Sequence, residues 1–260
     1  MTMRRLLQFA TLASVMAWCA PAHATWSLVQ VKDNTACTSG TTCAVAVTST
    51  GAGNLLVAGV QNFATTSISS VTAGACATTW THAPSGNLFV SGVGAVDLYY
   101  CTQSNSAQTS ITITVGSAFG TNGVGIIWEA SSSLGSIAID SGATPSGNKN
   151  DSTTCTSCAG VALTLSGNNN FTAAVAACGG TCSAVTGAGW TNDLANPNGN
   201  GIAHGLNTTG SITAPATWTQ TSSTLVCDAI SFQEASGGGG AASGITKLRK
   251  LERLGVIDSE

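Results

Sequence analysis

The sequence predicts an all-β protein: a two-sheet antiparallel β-sandwich of jelly-roll type, with an internal pseudo-repeat and local disulfides. Segment 110–115 alternates polar and apolar residues, as a half-buried strand does. Similar short runs are separated by Gly, Asn, Ser and Asp clusters, which are typical of turns. Ten cysteines are present, and most of those after residue 24 lie in close pairs, a pattern typical of exported disulfide-bonded chains.

Composition limits the partners. The 260 residues carry a formal net charge of −3, and only 7% of them are charged. Binding to nucleic acid needs a basic footprint, so no nucleic-acid partner is expected. An average soluble domain has about 25% charged residues, so this surface is expected to consist of Ser, Thr, Asn and Gly.

Residues 1–24 are predicted to be a signal peptide. Arg4 and Arg5 precede an apolar run over 6–20, and Ala22 and Ala24 form a small-x-small cleavage pattern. The run is too short for a stable membrane span, so no transmembrane anchor is expected. Cleavage after Ala24 would export the chain, and we expect a secreted, extracellular or cell-surface protein.

The composition changes after the predicted β-sandwich domain, 25–235. Residues 236–244 form a Gly/Ser-rich linker. Residues 245–260 form a short basic tail, in which Leu248, Leu251 and Leu254 recur at helical spacing. One short helix is marginal in water, so this tail is expected to be disordered or to dock on a partner.

The predicted strands follow the apolar runs in chain order. The segments are 26–31, 43–48, 54–60, 67–72, 88–101, 110–115, 123–130, 161–165, 171–177, 202–206 and 224–232. No helical periodicity of useful length occurs among them. Many short strands with regular turn signals predict a sandwich or a barrel.

The chain also repeats an ordered series of short matches, which predicts a duplication. The matched pairs, first half and second half, are Asp33 with Asp151, Asn54 with Asn170, Trp80 with Trp190, and Glu129 with Glu234. Their offsets fall from 118 to 116, 110 and 105 residues. Each half then supplies about six strands, and the two halves form one sandwich.

Three cysteine pairs are close in sequence, and local pairing is the simplest hypothesis. The expected bridges are Cys37–Cys43, Cys155–Cys158 and Cys178–Cys182, with Cys76–Cys101 as a fourth. Cys227 is then left over, either as a buried free thiol or as a partner in a different scheme. The Cys155–Cys158 spacing matches a redox motif, but the βαβ context of that motif is missing, which favours a loop staple.

No catalytic residue and no metal ligand is assigned. His82 and His204 lack a second ligand at metal spacing and are expected to be structural. Glu129 and Glu234 could serve a glycosidase as acid and base. We favour a structural role for both, at equivalent strand ends and bonded to amides of a neighbouring loop.

The sequence offers two weaker candidate ligand sites. Trp218 and the pair Tyr99 and Tyr100 are the best candidates for exposed platforms that stack on sugar rings, whereas Trp80, Trp128 and Trp190 are expected in the core. The oxygen-rich segment 192–200 could hold a structural calcium ion, but its spacing fails the EF-hand pattern and favours a plain turn.

The segments 53–57, 68–72, 98–100 and 127–130, together with Trp80, resemble a class of secreted bacterial β-sandwich modules. These are concanavalin A-like or jelly-roll-like surface proteins. The resemblance implies a two-sheet sandwich that sometimes binds glycans or surfaces, and it transfers no functional residue. The tail, 247–260, resembles the first half of a short C-terminal helical hairpin module, truncated where its second helix would begin.

These observations predict a non-enzymatic secreted or surface module with adhesive or carbohydrate-binding character and no cofactor. A glycan or a cell surface is the expected ligand. The alternatives are a structural subunit of an extracellular polymer, with the tail as docking peptide, and a glycosidase-like enzyme.

Overall fold

The protein is described from a computed structural model. The structure describes residues 25–64, 67–133, 135–166, 169–196, 200–207 and 215–234. The predicted signal peptide, 1–24, the linker, 236–244, and the tail, 245–260, lie outside the described residues. Within the described ranges, no helix is long and apolar enough to cross a membrane.

The described residues form an almost purely β structure. The first half contains β1 (Trp26–Cys37), β2 (Thr42–Ala46), β3 (Leu55–Asn62), β4 (Ile68–Val71), β5 (Thr81–His82), β6 (Leu88–Val90), β7 (Gly94–Cys101), β8 (Ser110–Val115) and β9 (Gly123–Ser132). The second half contains β10 (Ile137–Ile139), β11 (Ser146–Ala159), β12 (Asn170–Cys178), β13 (Cys182–Thr186), β14 (Trp190–Asn196), β15 (Asn200–Asn207) and β16 (Thr217–Glu234). One 3-10 turn, Ala73–Ala75, follows β4.

The strands pair into two large antiparallel sheets and one small one. The first large sheet has the order β1-β9-β3-β7-β5, with β6 on β7. The second has the order β10-β16-β12-β15-β14, with β11 and β13 on β16. The small sheet has the order β2-β8-β4. This arrangement confirms the predicted all-β antiparallel sandwich.

The two large sheets face each other across a central core. Its largest fully buried side chains include Trp128 and Ile126 from the first half, and Phe171, Phe232 and Ile202 from the second. The sheets approach so closely at β3 that a Cβ on Gly59 would lie 2.9 Å from Val175 Cγ1. Each half therefore buries one face of its large sheet against the other half, and burial of this apolar area is the main force that joins them.

Each large sheet also has an outer core on its other face. In the first half, the small sheet covers it with alternating side chains such as Ile111 and Ile113, which are fully buried. In the second half, β11, β13 and the start of β16 cover it, with Trp218 at the centre. The halves are thus layered structures that share a central interface.

The strand order confirms the predicted repeat. Both large sheets have the same order, and two of the sequence matches agree in register. Thr81, after Trp80, aligns with Tyr100, and Tyr100 aligns with Val57. In the second half, Thr191 aligns with His204, and His204 aligns with Ala173. The offset from Val57 to Ala173 is that of the match between Asn54 and Asn170.

The predicted match of Glu129 with Glu234 is wrong by three residues. Glu129 lies opposite Leu56, two residues after Asn54, and its counterpart opposite Thr172 is Ser231. In the second half, the single continuous strand β16 takes the places of both β8 and β9. The connection between these two counterparts is therefore shorter than in the first half. Because the sequences around Glu129 and Glu234 are similar, the sequence comparison did not reveal this three-residue shift in register.

The four expected disulfides are confirmed. They join Cys37 to Cys43, Cys76 to Cys101, Cys155 to Cys158, and Cys178 to Cys182. Cys227 is a free thiol, 1% exposed, and burial raises its pKa to about 12. Four bridges in one chain fit an oxidising compartment.

Two strand predictions need correction, and five strands were not predicted: β5, β10, β11, β13 and β14. Segment 161–165 is not a strand, because its apolar side chains pack on the second outer core and its only ladder contact is the bridge of Thr164 with Thr144. Segment 88–101 is a hairpin of β6 and β7, with Gly92 at a φ of 80° in the turn. The polar segment 146–159, which resembles a loop in sequence, forms β11 because β16 offers it a partner along its length.

Candidate functional site

A solvent-open pocket of about 250 Å³ lies in the first half, beside β4 and β7. One wall is formed by Ser69, Ser70 and Val71 of β4, and the rest by Ala73, Thr78, Thr79, Trp80 and Tyr99. Trp80 and Tyr99 are half-buried, whereas Thr78 and Thr79 are exposed. The pocket therefore combines two aromatic rings with a set of hydroxyl groups, and no charged side chain lines it.

Residues 73–79, which we call the pocket segment, are fixed from several sides. The Cys76–Cys101 disulfide ties the segment to the end of β7. Ala77 N donates to Gln103 O at 2.7 Å. Asn105 donates from its backbone to Ala75 O at 3.0 Å and from its side chain to Gly74 O at 2.9 Å. These contacts hold the wall of the pocket in place without a regular strand.

The two aromatic rings are anchored by hydrogen bonds at their polar ends. Trp80 Nε1 donates to Thr72 O at 2.9 Å. Tyr99 Oη donates to Ile68 O at 3.2 Å, and its ring stacks on His82 with centroids 4.7 Å apart. The rings are thus held in fixed orientations, which reduces the ordering cost of a ligand that packs on them.

His82, on which the Tyr99 ring stacks, is paired with the buried carboxylate of Asp97. His82 Nε2 lies 2.5 Å from Asp97 Oδ1, and Asp97 also accepts from the backbone N–H groups of Ile68 and Leu98. Burial raises the pKa of Asp97 above its ordinary value, although these contacts lower it. Burial and the neighbouring Asp97 likewise raise the pKa of Tyr99. His82 is thus a structural histidine paired with a carboxylate, as expected.

Tyr100 does not share a platform with Tyr99. Consecutive residues of a strand point to opposite faces, so Tyr100 packs against the central core. Its ring meets Phe232 edge-on, with centroids 5.3 Å apart. Of the two predicted tyrosines, the structure therefore brings only Tyr99 to the pocket.

Trp218 is not an exposed platform, and that prediction is wrong. The side chain is 1% exposed and forms the centre of the second outer core. Trp218 aligns with Cys158 on one neighbouring strand and with Val185 on the other. In the first half, Ile113 aligns in the same way with Cys43 and Val71, so Trp218 is the counterpart of Ile113. The repeat thus assigns Trp218 to a core position.

The other tryptophans follow the sequence analysis in part. Trp128 is fully buried in the central core, as predicted. Trp80 and Trp190 were expected in the core, but both are only half-buried, each packed against the outer core of its half. An indole at this position covers the core and keeps part of its ring at the surface.

Glu129 holds a loop, as the structural interpretation predicted. It is fully buried and accepts from Gly51 N at 2.8 Å, from Asn54 Nδ2 at 2.6 Å and from Gln30 Nε2 at 2.5 Å. Glu234 is half-buried and accepts from the hydroxyls of Ser132 and Ser133. Because Glu129 has no exposed surface, it offers nothing to a sugar in an open cleft.

The structure shows an equivalent arrangement that the sequence analysis missed. Asp140 is buried and accepts from Ser166 N at 2.8 Å, from Gly142 N at 2.6 Å and from the side chain of Asn170. Asn54 and Asn170 are counterparts in the repeat, yet the carboxylates that accept from them do not correspond: Glu129 lies on β9, whereas Asp140 directly follows β10. The matched asparagines were the only signal in the sequence.

Asp193, the acid of the candidate calcium segment 192–200, contacts the side chains of His204 and Trp128. Asp193 Oδ1 lies 2.7 Å from His204 Nδ1, and Asp193 Oδ2 accepts from Trp128 Nε1 at 2.7 Å. Asn192 accepts from Val185 N, and residues 197–199 lie outside the described ones. In the described part of the chain, no group of three acidic, His or Cys side chains could hold a metal.

Asp228 is a buried acid that the sequence analysis did not single out. It is fully buried on β16 between Val226 and Ile230, and neither of its carboxyl oxygens has a hydrogen-bond partner among the described residues. Burial therefore raises its pKa well above the ordinary value. The nearby Ser85 hydroxyl and Ala229 N–H offset this rise in pKa only in part, and the carboxylate of Asp97 raises the pKa further.

In comparisons with known proteins, the chain matches no family model, no curated protein and no solved structure. Any function assigned to the pocket therefore depends on the pocket's own chemistry.

Proposed function

We propose that this protein is a non-enzymatic secreted or cell-surface module that binds saccharides in the pocket lined by Trp80 and Tyr99. The observation that carries the proposal is the combination of two anchored aromatic rings with Ser and Thr hydroxyls in one open pocket. Sugar rings present C–H groups on their faces and hydroxyls at their edges. The first can pack on indole and phenol rings, and the second can bond to Ser69, Ser70, Thr78 or Thr79.

The distribution of charge supports an uncharged ligand. Half of the eight acids in the described region are inside the protein: Asp97, Glu129, Asp140 and Asp228 are at most 2% exposed. The surface is therefore even less charged than the composition of 7% implies. Such a surface gives little electrostatic attraction to ions or to nucleic acid.

The test is a glycan array probed with the oxidised full chain, followed by titration of the best ligand. Trp80→Ala is expected to weaken binding at least about tenfold, equivalent to 1.4 kcal/mol. Trp190→Ala is the matched control, because Trp190 occupies the corresponding position in the other half of the repeat. It is expected to leave the affinity unchanged.

The opposite results have clear meanings. If the wild-type chain binds no glycan, the saccharide proposal fails, and the structural-subunit alternative becomes the leading one. If Trp190→Ala reduces binding as much as Trp80→Ala, the binding site does not lie at this pocket.

A further inference from the structure

The two halves differ at the place where the pocket is formed. Val71 and Val185 are counterparts, as are Trp80 and Trp190, so the connections between them can be compared directly. Seven residues, 73–79, separate Thr72 from Trp80 in the first half, whereas only Gly187, Ala188 and Gly189 separate Thr186 from Trp190. The pocket segment is thus longer by four residues than its counterpart.

This difference accounts for much of the pocket. Ala73, Thr78 and Thr79 all belong to the longer connection, and all three line the pocket. The second difference is in β7: Tyr99 lies opposite Ala58, and its counterpart opposite Ala174 is Ala203. The short connection in the second half supplies no side chain larger than a methyl group, so it can offer neither a hydroxyl nor a ring.

The pocket segment is also fixed by contacts that have no counterpart in the described second half. Cys76 lies within the extra length, and the counterpart of its partner Cys101 is Gly205. Asn105 bonds the segment at two further carbonyl oxygens. A wall held in this way presents its hydroxyls in one geometry, and fixed geometry is what discriminates among ligands of similar composition.

We infer that the pocket segment, 73–79, determines specificity, and that Thr78 and Thr79 select an uncharged sugar unit which packs on Trp80 and Tyr99. This inference depends on the proposed saccharide binding and adds to it the residues that choose the ligand. The two hydroxyls recognise the edge of the sugar, while the rings bind its face. A carboxylate or sulfate on the sugar would lose hydration here without gaining a cationic partner in the pocket lining.

The experiment measures binding to neutral hexasaccharides of cellulose, xylan, mannan and chitin, and to oligogalacturonate as an acidic probe, by calorimetry. Thr78→Val and Thr79→Val remove one hydroxyl each and keep the shape of the side chain. Each is expected to weaken binding of the best neutral probe at least about fivefold, since an unmade hydrogen bond leaves a buried polar group of the ligand unpaired. The control is Thr191→Val. Thr191 is exposed and is the counterpart of Thr81 in the second half, and this variant is expected to bind like the wild type.

A second variant replaces 73–79 with Gly-Ala-Gly, the connection of the second half, and carries Cys101→Ala to avoid a free thiol. It is expected to lose binding to every probe. If it unfolds, the two threonine variants decide the question.

Two results would overturn the inference. Threonine variants that keep the wild-type affinity and ranking of probes would exclude a selective role for the segment. Preference for oligogalacturonate over all neutral probes would exclude an uncharged ligand. If Trp80→Ala still abolishes binding in these cases, the proposed function stands and only the inference fails; if the wild type binds no probe, the proposed function itself fails.

Discussion

Removal of the Cys76–Cys101 disulfide should destabilise the protein more than removal of any other bridge. The perturbation is the double substitution Cys76→Ala and Cys101→Ala. A disulfide stabilises chiefly by restricting the unfolded chain, and the effect grows with the length of the closed loop. The sequence separation here is 25, for which the loop-entropy relation gives about 3.5 kcal/mol.

The matched control is the double substitution Cys155→Ala and Cys158→Ala. The sequence separation of that bridge is only 3, and the same relation gives about 1.6 kcal/mol. Urea unfolding of the oxidised proteins measures both losses. The difference of roughly 1.9 kcal/mol should also appear as a gap of about 4–8 °C between the two melting temperatures.

The reasoning is refuted if the 155/158 variant loses as much free energy of unfolding as the 76/101 variant, or more. It is supported further if the remaining bridges fall between the two. Their sequence separations are 6 for Cys37–Cys43 and 4 for Cys178–Cys182, which give about 2.2 and about 1.9 kcal/mol.

Three other substitutions test the buried groups. Asp228→Asn should stabilise the protein at neutral and alkaline pH: because the pKa of Asp228 is raised in the folded state, the unfolded chain ionises this group at a lower pH than the folded chain does, so wild-type stability falls as pH rises above the ordinary pKa, and urea midpoints across pH should be flatter in the variant. Equal pH dependence would contradict this. Trp218→Ala should cost about 3–5 kcal/mol by the same unfolding assay, since it empties the second outer core; a cost below 1 kcal/mol would place Trp218 outside the core. Glu129→Ala should cost about 3 kcal/mol, because three donors lose their acceptor, and an unchanged midpoint would exclude that role.

Local patterns in the sequence were enough to predict those strands and disulfides whose signal lies in neighbouring residues. The alternation in β8 and the short apolar runs predicted strands, and the close cysteine pairs predicted three of the bridges. Segment 146–159 was missed because its polar residues resemble a loop, and it is a strand only because β16 pairs with it. Tertiary pairing overrides local propensity in such a case.

The candidate site was harder to predict, since exposure is not a local property. Trp218 lies between Thr217 and Thr219, yet it is fully buried, whereas Tyr99 follows the apolar Leu98 and lines a pocket. Trp80 was assigned to the core because it matched Trp190, and the match was correct. What distinguishes the two indoles is the length of the connection before each, which the sequence shows but whose consequence depends on the surrounding strands.

The sequence by itself predicted the β class, the duplication and the three disulfides between close cysteines, because alternation, ordered repeats and close spacing can all be read along the chain. Only the tertiary structure decided which acids and which tryptophans are fully buried and where a pocket opens. These depend on the packing of the two halves through their central core, and on which face of each sheet a second layer covers. Burial is a property of the assembled layers, and no residue carries it alone.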